Sequence, residues 1–67
     1  LHSYIIELKY AKSRDPESKI EELRKQATEQ VIRYSETDTV KTSVKTTTLH
    51  RIIVVFHGTE MVVCEEV

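Results

Sequence analysis

Cysteine, glycine, proline and tryptophan are almost absent from this 67-residue chain, which has one of each of the first three and none of the last. The single thiol, Cys64, excludes an internal disulfide framework and zinc modules built from several cysteines, and it favours a reducing compartment. A chain this short buries only roughly 60% of the surface that its unfolded form exposes. The sequence therefore predicts one small globular unit at most, with a marginal core.

The chain also lacks a dominant charge and a long apolar run. Its 10 basic and 11 acidic residues give a formal net charge of -1, so no overall basic field attracts nucleic acid and any such binding has to be local. The longest apolar run, Ile52 to Phe56, is far shorter than the roughly 20 residues that a membrane-spanning helix needs. We therefore expect a soluble, cytoplasmic protein.

The first half of the chain has a strand pattern followed by a helix pattern. Residues 3–10 predict a strand whose two faces hold, respectively, Tyr4, Ile6, Leu8 and Tyr10, and Ser3, Ile5, Glu7 and Lys9. A helix is predicted over 16–35, with Asp15 as its cap and Pro16 at its first position. Its apolar stripe, at spacings of three and four, comprises Ile20, Leu23, Ala27, Val31 and Tyr34. Such a stripe requires a sheet to pack against.

The second half predicts a connector and two further strands. Residues 36–48 are rich in threonine and form the connector, in which 38–45 is compatible with a short helix. The apolar segment 49–56 predicts a central strand, and a turn at His57-Gly58 leads into a strand over 59–66. The predicted class is α/β, with a parallel strand pair, a C-terminal β-hairpin and one main helix on one face.

The chain begins with a leucine, and its strand pattern starts within three residues. A free terminus usually has a polar lead-in before the first ordered element. We therefore interpret residues 1–67 as a single partial domain from the C-terminal part of a longer protein.

Glu7 and Lys9 are the residues with the clearest chemical potential. Two positions apart on one strand, they project from the same face with Cα atoms roughly 6.5 to 7 Å apart. The carboxylate is a hard oxygen ligand suited to Mg²⁺, and the ammonium group can steady a nucleophilic water or a phosphate oxygen. The alternative interpretation is a simple ion pair on a solvated strand face.

The segment Tyr4-Ile5-Ile6-Glu7-Leu8-Lys9-Tyr10, followed by a helix with Gln30-x-x-x-Tyr34, resembles the PD-(D/E)XK nuclease superfamily. It looks like the nuclease-like domain that follows an AAA-type ATPase region in proteins of Bacteroides-type gut bacteria. The resemblance implies a β-α-β-β fragment of a restriction-endonuclease-like fold and extends over nearly the whole chain.

The resemblance also implies roles for individual residues. Glu7 and Lys9 match the acid-x-lysine motif, so Glu7 would ligate Mg²⁺ and Lys9 would orient water or stabilise charge on the phosphate. Gln30 and Tyr34 match a glutamine and a tyrosine that lie near the active site in RecB-like members. We expect Gln30 to support the site and Tyr34 to pack in the core.

One feature of the superfamily is missing. Its members need an aspartate on the strand before the acid-x-lysine strand, and no residue of this chain corresponds to it. Magnesium and nucleic acid are therefore implied for the full-length protein, and we expect no ion bound to the fragment. The alternative function is a catalytically inert interaction module, and in either case we expect a homo-oligomer formed through exposed sheet edges.

Other candidate sites are weaker. His2, His50, His57 and Cys64 do not have the spacing of a zinc site, and we interpret the histidines as strand-end and turn residues. No glycine-rich phosphate loop and no serine nucleophile motif is present.

The isolated chain is predicted to have no nuclease activity, because one protein carboxylate binds Mg²⁺ weakly. The measurement is cleavage of plasmid and single-stranded DNA with and without Mg²⁺. Mg²⁺-dependent cleavage that disappears in Glu7→Ala would contradict the prediction.

Overall fold

Three strands and two helices make up the chain, and the computed structural model describes all 67 residues. In chain order they are β1 (His2–Ala11), α1 (Glu17–Ser35), α2 (Asp38–Val44), β2 (Thr48–His57) and β3 (Glu60–Glu66). Neither helix is both long enough and apolar enough to span a membrane.

The strands form one mixed sheet in the order β1-β2-β3. β1 and β2 are parallel, with a continuous register from His2 opposite Thr48 to Ala11 opposite His57. β2 and β3 are antiparallel, with one irregularity between Val55 and Phe56. The predicted α/β class, with a parallel pair and a C-terminal hairpin, is confirmed.

α1 packs on one face of this sheet, which we call the covered face. Its buried residues follow each other by three or four positions, as expected for one side of an α-helix, and they contact the two fully buried side chains of the central strand, Ile53 and Val55. Two clusters result: one of Ala11, Ile20, Leu23 and Val55, and one of Ala27, Val31 and Ile53. No element packs on the opposite, open face, where large apolar side chains of β1 stay exposed.

The predicted packing of Tyr34 is wrong. Tyr34 is 54% exposed, and the next residue, Ser35, is buried in its place. After Leu23, the buried positions Ala27, Val31 and Ser35 are each four residues further along, so the stripe passes to one side of Tyr34. The Ser35 hydroxyl is satisfied by donating to the Ile32 carbonyl at 2.7 Å.

The predicted helix cap at Asp15 is also wrong. Pro16 occupies the N-cap position, in an extended conformation, and α1 has no side-chain cap. The Asp15 carboxylate instead accepts a hydrogen bond from the Lys12 backbone N–H at 2.9 Å, which closes the turn after β1. Short acidic side chains commonly stabilise turns in this way.

Gly58 makes the tight turn between β2 and β3. Its φ of +65° is the one positive φ in the chain, and Gly58 and Thr59 are the two residues between the paired strand ends. A positive φ at the first central position alone is the pattern of a type II′ hairpin turn. The Gly58 N–H also donates to the Ala11 carbonyl at 2.8 Å, so the turn lies against the end of β1.

Replacing Gly58 with alanine should lower the free energy of unfolding by at least about 1 to 2 kcal/mol, the usual cost of this backbone region for a residue with a Cβ. The added Cβ would also clash with the Ser13 hydroxyl. Urea unfolding followed by circular dichroism measures the change. The exposed neighbour provides the control, since Thr59→Ala should change stability by no more than about 0.5 kcal/mol. Equal stability of the two variants would refute this account of the turn.

Candidate active site

Glu7 and Lys9 project from β1 onto the covered face. In the sheet register Glu7 lies beside Ile53 and Lys9 beside Val55, the two β2 side chains at the centre of the core. Their side chains are 30% and 22% exposed, respectively, although glutamate and lysine are usually much more exposed. The two groups therefore sit at the border of the core rather than on a solvated face.

The two side chains form an ion pair of open geometry. Lys9 Nζ lies 3.9 Å from Glu7 Oε2, which is too long for a direct hydrogen bond. A distance of this size can be bridged by water. Neither residue forms an ion pair with any other side chain. The ammonium group of Lys9 thus partly neutralises the Glu7 carboxylate, but no direct hydrogen bond holds the carboxylate in one position.

β1 is an edge strand, and this gives the pair access to solvent. The sheet order places β2 on one side of β1 and no strand on the other. The backbone groups on the outer side of β1, next to Glu7 and Lys9, are free to pair with another segment. Water, a phosphate or another polypeptide can approach the pair from this side.

The flank of α1 that lies over β1 carries amides. Arg24 on the opposite flank pairs with Glu65 of β3, so that flank is the one nearer β3. At about 100° per residue, Gln30 lies about 80° from the centre of the buried stripe on the side away from Arg24. Helical periodicity thus assigns Gln30 to the flank nearer β1, where it is exposed and makes no hydrogen bond to Glu7 or Lys9.

Gln26 is a residue of this flank that sequence reasoning missed. It lies one helical turn before Gln30 and is less exposed. Its Nε2 contacts Glu22 Oε1 at 3.4 Å. The sequence signal that could have identified Gln26 is its position four residues before Gln30, because residues four apart lie on the same side of a helix. Tyr34, a further turn along the helix, is exposed near the same flank.

The other flank of α1 is held by Arg24. Its Nε donates to Glu65 Oε1 at 2.9 Å and its Nη2 contacts Glu65 Oε2 at 3.3 Å, in the two-point geometry that suits a carboxylate. The hydrogen bond to Glu65 and the charge of that residue raise the pKa of Arg24, with a smaller contribution from Glu21. This contact links the flank of α1 that carries Arg24 to β3, while the buried stripe sets the rotation of the helix.

The donor set fits a divalent metal only in part. A carboxylate oxygen is the ligand type that Mg²⁺ prefers, and Glu7 offers one at an accessible edge. No group of three or more His, Cys, Asp or Glu side chains converges to hold an ion. The 67 residues therefore supply one ligand and not a complete site.

Glu7 and Lys9 lie two positions apart on the edge strand of a small α/β unit, in which two strands are parallel and the third is antiparallel. Residues 1–66 match the PD-(D/E)XK nuclease superfamily, and with all but one residue covered the chain belongs to that superfamily. Members usually use a divalent metal ion. Neither a curated protein nor a solved structure matches the chain.

The Glu7–Lys9 pair should have a measurable coupling energy. A double-mutant cycle of Glu7→Gln and Lys9→Met is expected to give about 1 kcal/mol, because the pair is partly shielded from solvent but not hydrogen-bonded. Urea unfolding of the four proteins measures it.

The exposed pair Lys19–Glu22, at 3.8 Å on α1, is the matched control. Its cycle should give no more than about 0.5 kcal/mol, as is usual for solvated helix pairs. A coupling for Glu7 and Lys9 that is no larger than this control would show that they behave as an ordinary surface pair.

Proposed function

We propose that this chain contributes the acid-x-lysine part of a PD-(D/E)XK nuclease active site, in a longer protein that hydrolyses phosphodiester bonds of nucleic acid with a divalent metal ion. The observation that supports the proposal is the partly buried Glu7–Lys9 pair at the open edge of β1, in a chain of this superfamily. We also propose that, in this longer protein, the chain follows an AAA-type ATPase region.

Each residue has a role that follows from its chemistry. Glu7 supplies one oxygen ligand, and the remaining ligands come from water, substrate phosphates or another polypeptide segment. Lys9 holds the attacking water or a phosphate oxygen, and it balances the charge that develops during cleavage. Gln30 lies over β1 and supplies a neutral hydrogen-bonding amide. When bound, the metal ion would polarise the phosphate and activate water.

A second candidate function is a catalytically inert module that joins another chain through the β1 edge. This candidate is favoured by the length of the edge, since β1 has ten residues and pairs only with β2. Long unpaired edges are templates for strand addition. We also propose that the chain forms a homo-oligomer through such edges.

Binding of Mn²⁺, a paramagnetic substitute for Mg²⁺, tests the role of Glu7 in the chain itself. In ¹H–¹⁵N spectra, Mn²⁺ should first broaden the resonances of residues around Glu7, with an affinity no tighter than about millimolar because one carboxylate binds weakly. Glu7→Gln should abolish this local effect. Glu17→Gln, which neutralises an exposed carboxylate at the start of α1, is the matched control and should leave the effect unchanged. Equal broadening at all acidic residues would argue against a ligand role for Glu7.

The catalytic proposal is tested by measuring the nuclease activity of the longer protein that contains these residues. Mg²⁺-dependent cleavage of nucleic acid should fall by at least about 100-fold in Glu7→Gln and in Lys9→Ala, which corresponds to a loss of roughly 3 kcal/mol of transition-state stabilisation. A longer protein that cuts no nucleic acid with Mg²⁺ or Mn²⁺ would favour the inert module.

A further inference from the structure

The turn that joins β1 to α1 has a local excess of positive charge. Residues 9–15 include three cations, Lys9, Lys12 and Arg14, and one carboxylate, Asp15, which is a net charge of +2 in a chain whose formal net charge is -1. This excess lies at the end of the strand that carries the Glu7–Lys9 pair. A chain without an overall positive field needs such a local basic feature to bind nucleic acid.

The backbone of this turn is held in one conformation by hydrogen bonds. The Asp15 N–H donates to the Lys12 carbonyl, and the Asp15 carboxylate accepts from the Lys12 N–H, both at 2.9 Å. His57 Nε2, at the end of β2, donates to the Asp15 carbonyl at 3.0 Å. The Gly58 N–H donates to the Ala11 carbonyl at 2.8 Å, just before the turn. Side chains on a backbone held in this way lose less conformational entropy when they bind a ligand.

The Lys12 and Arg14 side chains are exposed and form no ion pair. The one carboxylate of the turn, Asp15, is bonded to a backbone N–H instead. Two cations of the neighbouring helix, Lys19 and Arg24, are both paired with carboxylates. The two cations of the turn are therefore available to an external anion.

The turn continues the line of β1 beyond the Glu7–Lys9 pair. Lys12 follows Lys9 by three residues, which is about 10 Å along an extended strand. The turn also lies at the carboxyl ends of the parallel strands β1 and β2, where ligands of α/β sheets commonly bind. A phosphate chain that is bound at Lys9 and runs in the direction of β1 reaches Lys12 and Arg14 next.

We propose that Lys12 and Arg14 bind phosphates next to the one that is cut, and so hold a nucleic-acid strand along the end of β1. This inference rests on the proposed nuclease function. Arginine contacts a phosphate through two N–H groups, and lysine acts as a point charge. The turn lines no pocket that could enclose a base, so the contact is with the sugar-phosphate backbone and does not depend on base sequence.

The proposed contact is separate from the other features of β1. The turn lies beyond Ala11, the last residue of β1 that pairs with β2, so a segment added along the β1 edge leaves Lys12 and Arg14 accessible. Neither residue contacts Glu7 or Lys9 in an ion pair. Loss of the two cations should therefore affect binding and not the chemical step.

Nucleic-acid binding by the longer protein tests the proposal. Fluorescence anisotropy of a short labelled single strand and of the corresponding duplex, without divalent metal, measures binding in the absence of cleavage. The double variant Lys12→Ala, Arg14→Ala should bind at least about tenfold more weakly at about 0.1 M salt, to a similar extent for different base sequences. The logarithm of its binding constant should also fall less steeply with the logarithm of salt concentration, by about 1.4 for the single strand and about 1.8 for the duplex, because two phosphate contacts are lost.

The double variant Lys41→Ala, Lys45→Ala is the matched control. It removes the same amount of charge from two exposed residues at the opposite end of the sheet, where α2 leads into β2. Its affinity should change by no more than about twofold at about 0.1 M salt, because charges far from the bound strand are screened. Equal losses in the two double variants would show a general charge effect and would overturn the proposal.

Folding of each variant is checked by circular dichroism. The double variant Lys12→Gln, Arg14→Gln keeps long polar side chains at both positions and should show the same loss of affinity, so that a misfolded alanine variant does not decide the outcome. A folded glutamine variant with wild-type affinity would overturn the proposal.

Mg²⁺-dependent cleavage separates this proposal from the catalytic one. The alanine variant of Lys12 and Arg14 should raise KM by about tenfold and leave kcat within about twofold of the wild type, because it removes binding that is equal in the ground and transition states. A wild-type protein that binds nucleic acid through these two residues without cutting it would overturn the catalytic proposal and support this one. A wild-type protein that cuts nucleic acid but loses no affinity in the variants would overturn this proposal alone, and a wild-type protein that binds no nucleic acid would overturn both.

Discussion

The packing of α1 on the central strand is the interaction on which the other features depend. Ala27 and Val31 have no exposed surface, and with Ile53 they form one of the two buried clusters between helix and sheet. The small side chain of Ala27 lets the helix approach the sheet closely. α1 lies over β1 and β2, and it reaches β3 through the long side chain of Arg24. The position of α1 therefore determines which helix side chains can contact the residues at each edge of the covered face.

Two carboxylates at opposite ends of one sheet row show the effect. Glu7, Ile53 and Glu65 are register partners across the three strands, so the two glutamates lie on either side of the same buried isoleucine. Glu65 receives a guanidinium from the helix, whereas no side chain of the helix pairs with Glu7. Its own neighbour, Lys9, is the one cation that Glu7 contacts. This asymmetry connects Glu65 to the helix, whereas Glu7 is paired only within its own strand.

The sequence was sufficient for the topology and for the position of Glu7 and Lys9 on one face of β1. Alternation and apolar runs predicted the strands, and the stripe on α1 predicted a helix packed on a sheet. Alternation alone could not tell which face of β1 the helix covers. The covered face is the one with Glu7 rather than the one with Tyr4 and Ile6, because Ile53 and Val55 of β2 share it. Tyr34 was misplaced because spacings of three and four are both helical, and tertiary packing chose Ser35. The role proposed for Gln30 rests on resemblance alone, since nothing in its own spacing distinguishes it from a solvated amide.

The parallel register also has a consequence for the order of folding. Every β1–β2 pair, from His2 with Thr48 to Ala11 with His57, joins residues 46 positions apart, whereas the β2–β3 turn needs two residues. Closing a long loop costs entropy before the contacts are formed, so local elements should appear first. We expect α1 and the β2–β3 hairpin to form early, with β1 joining last. The strand that carries Glu7 and Lys9 is then the last to be added, so the pair is assembled only after the helix and the hairpin against which it lies are in place.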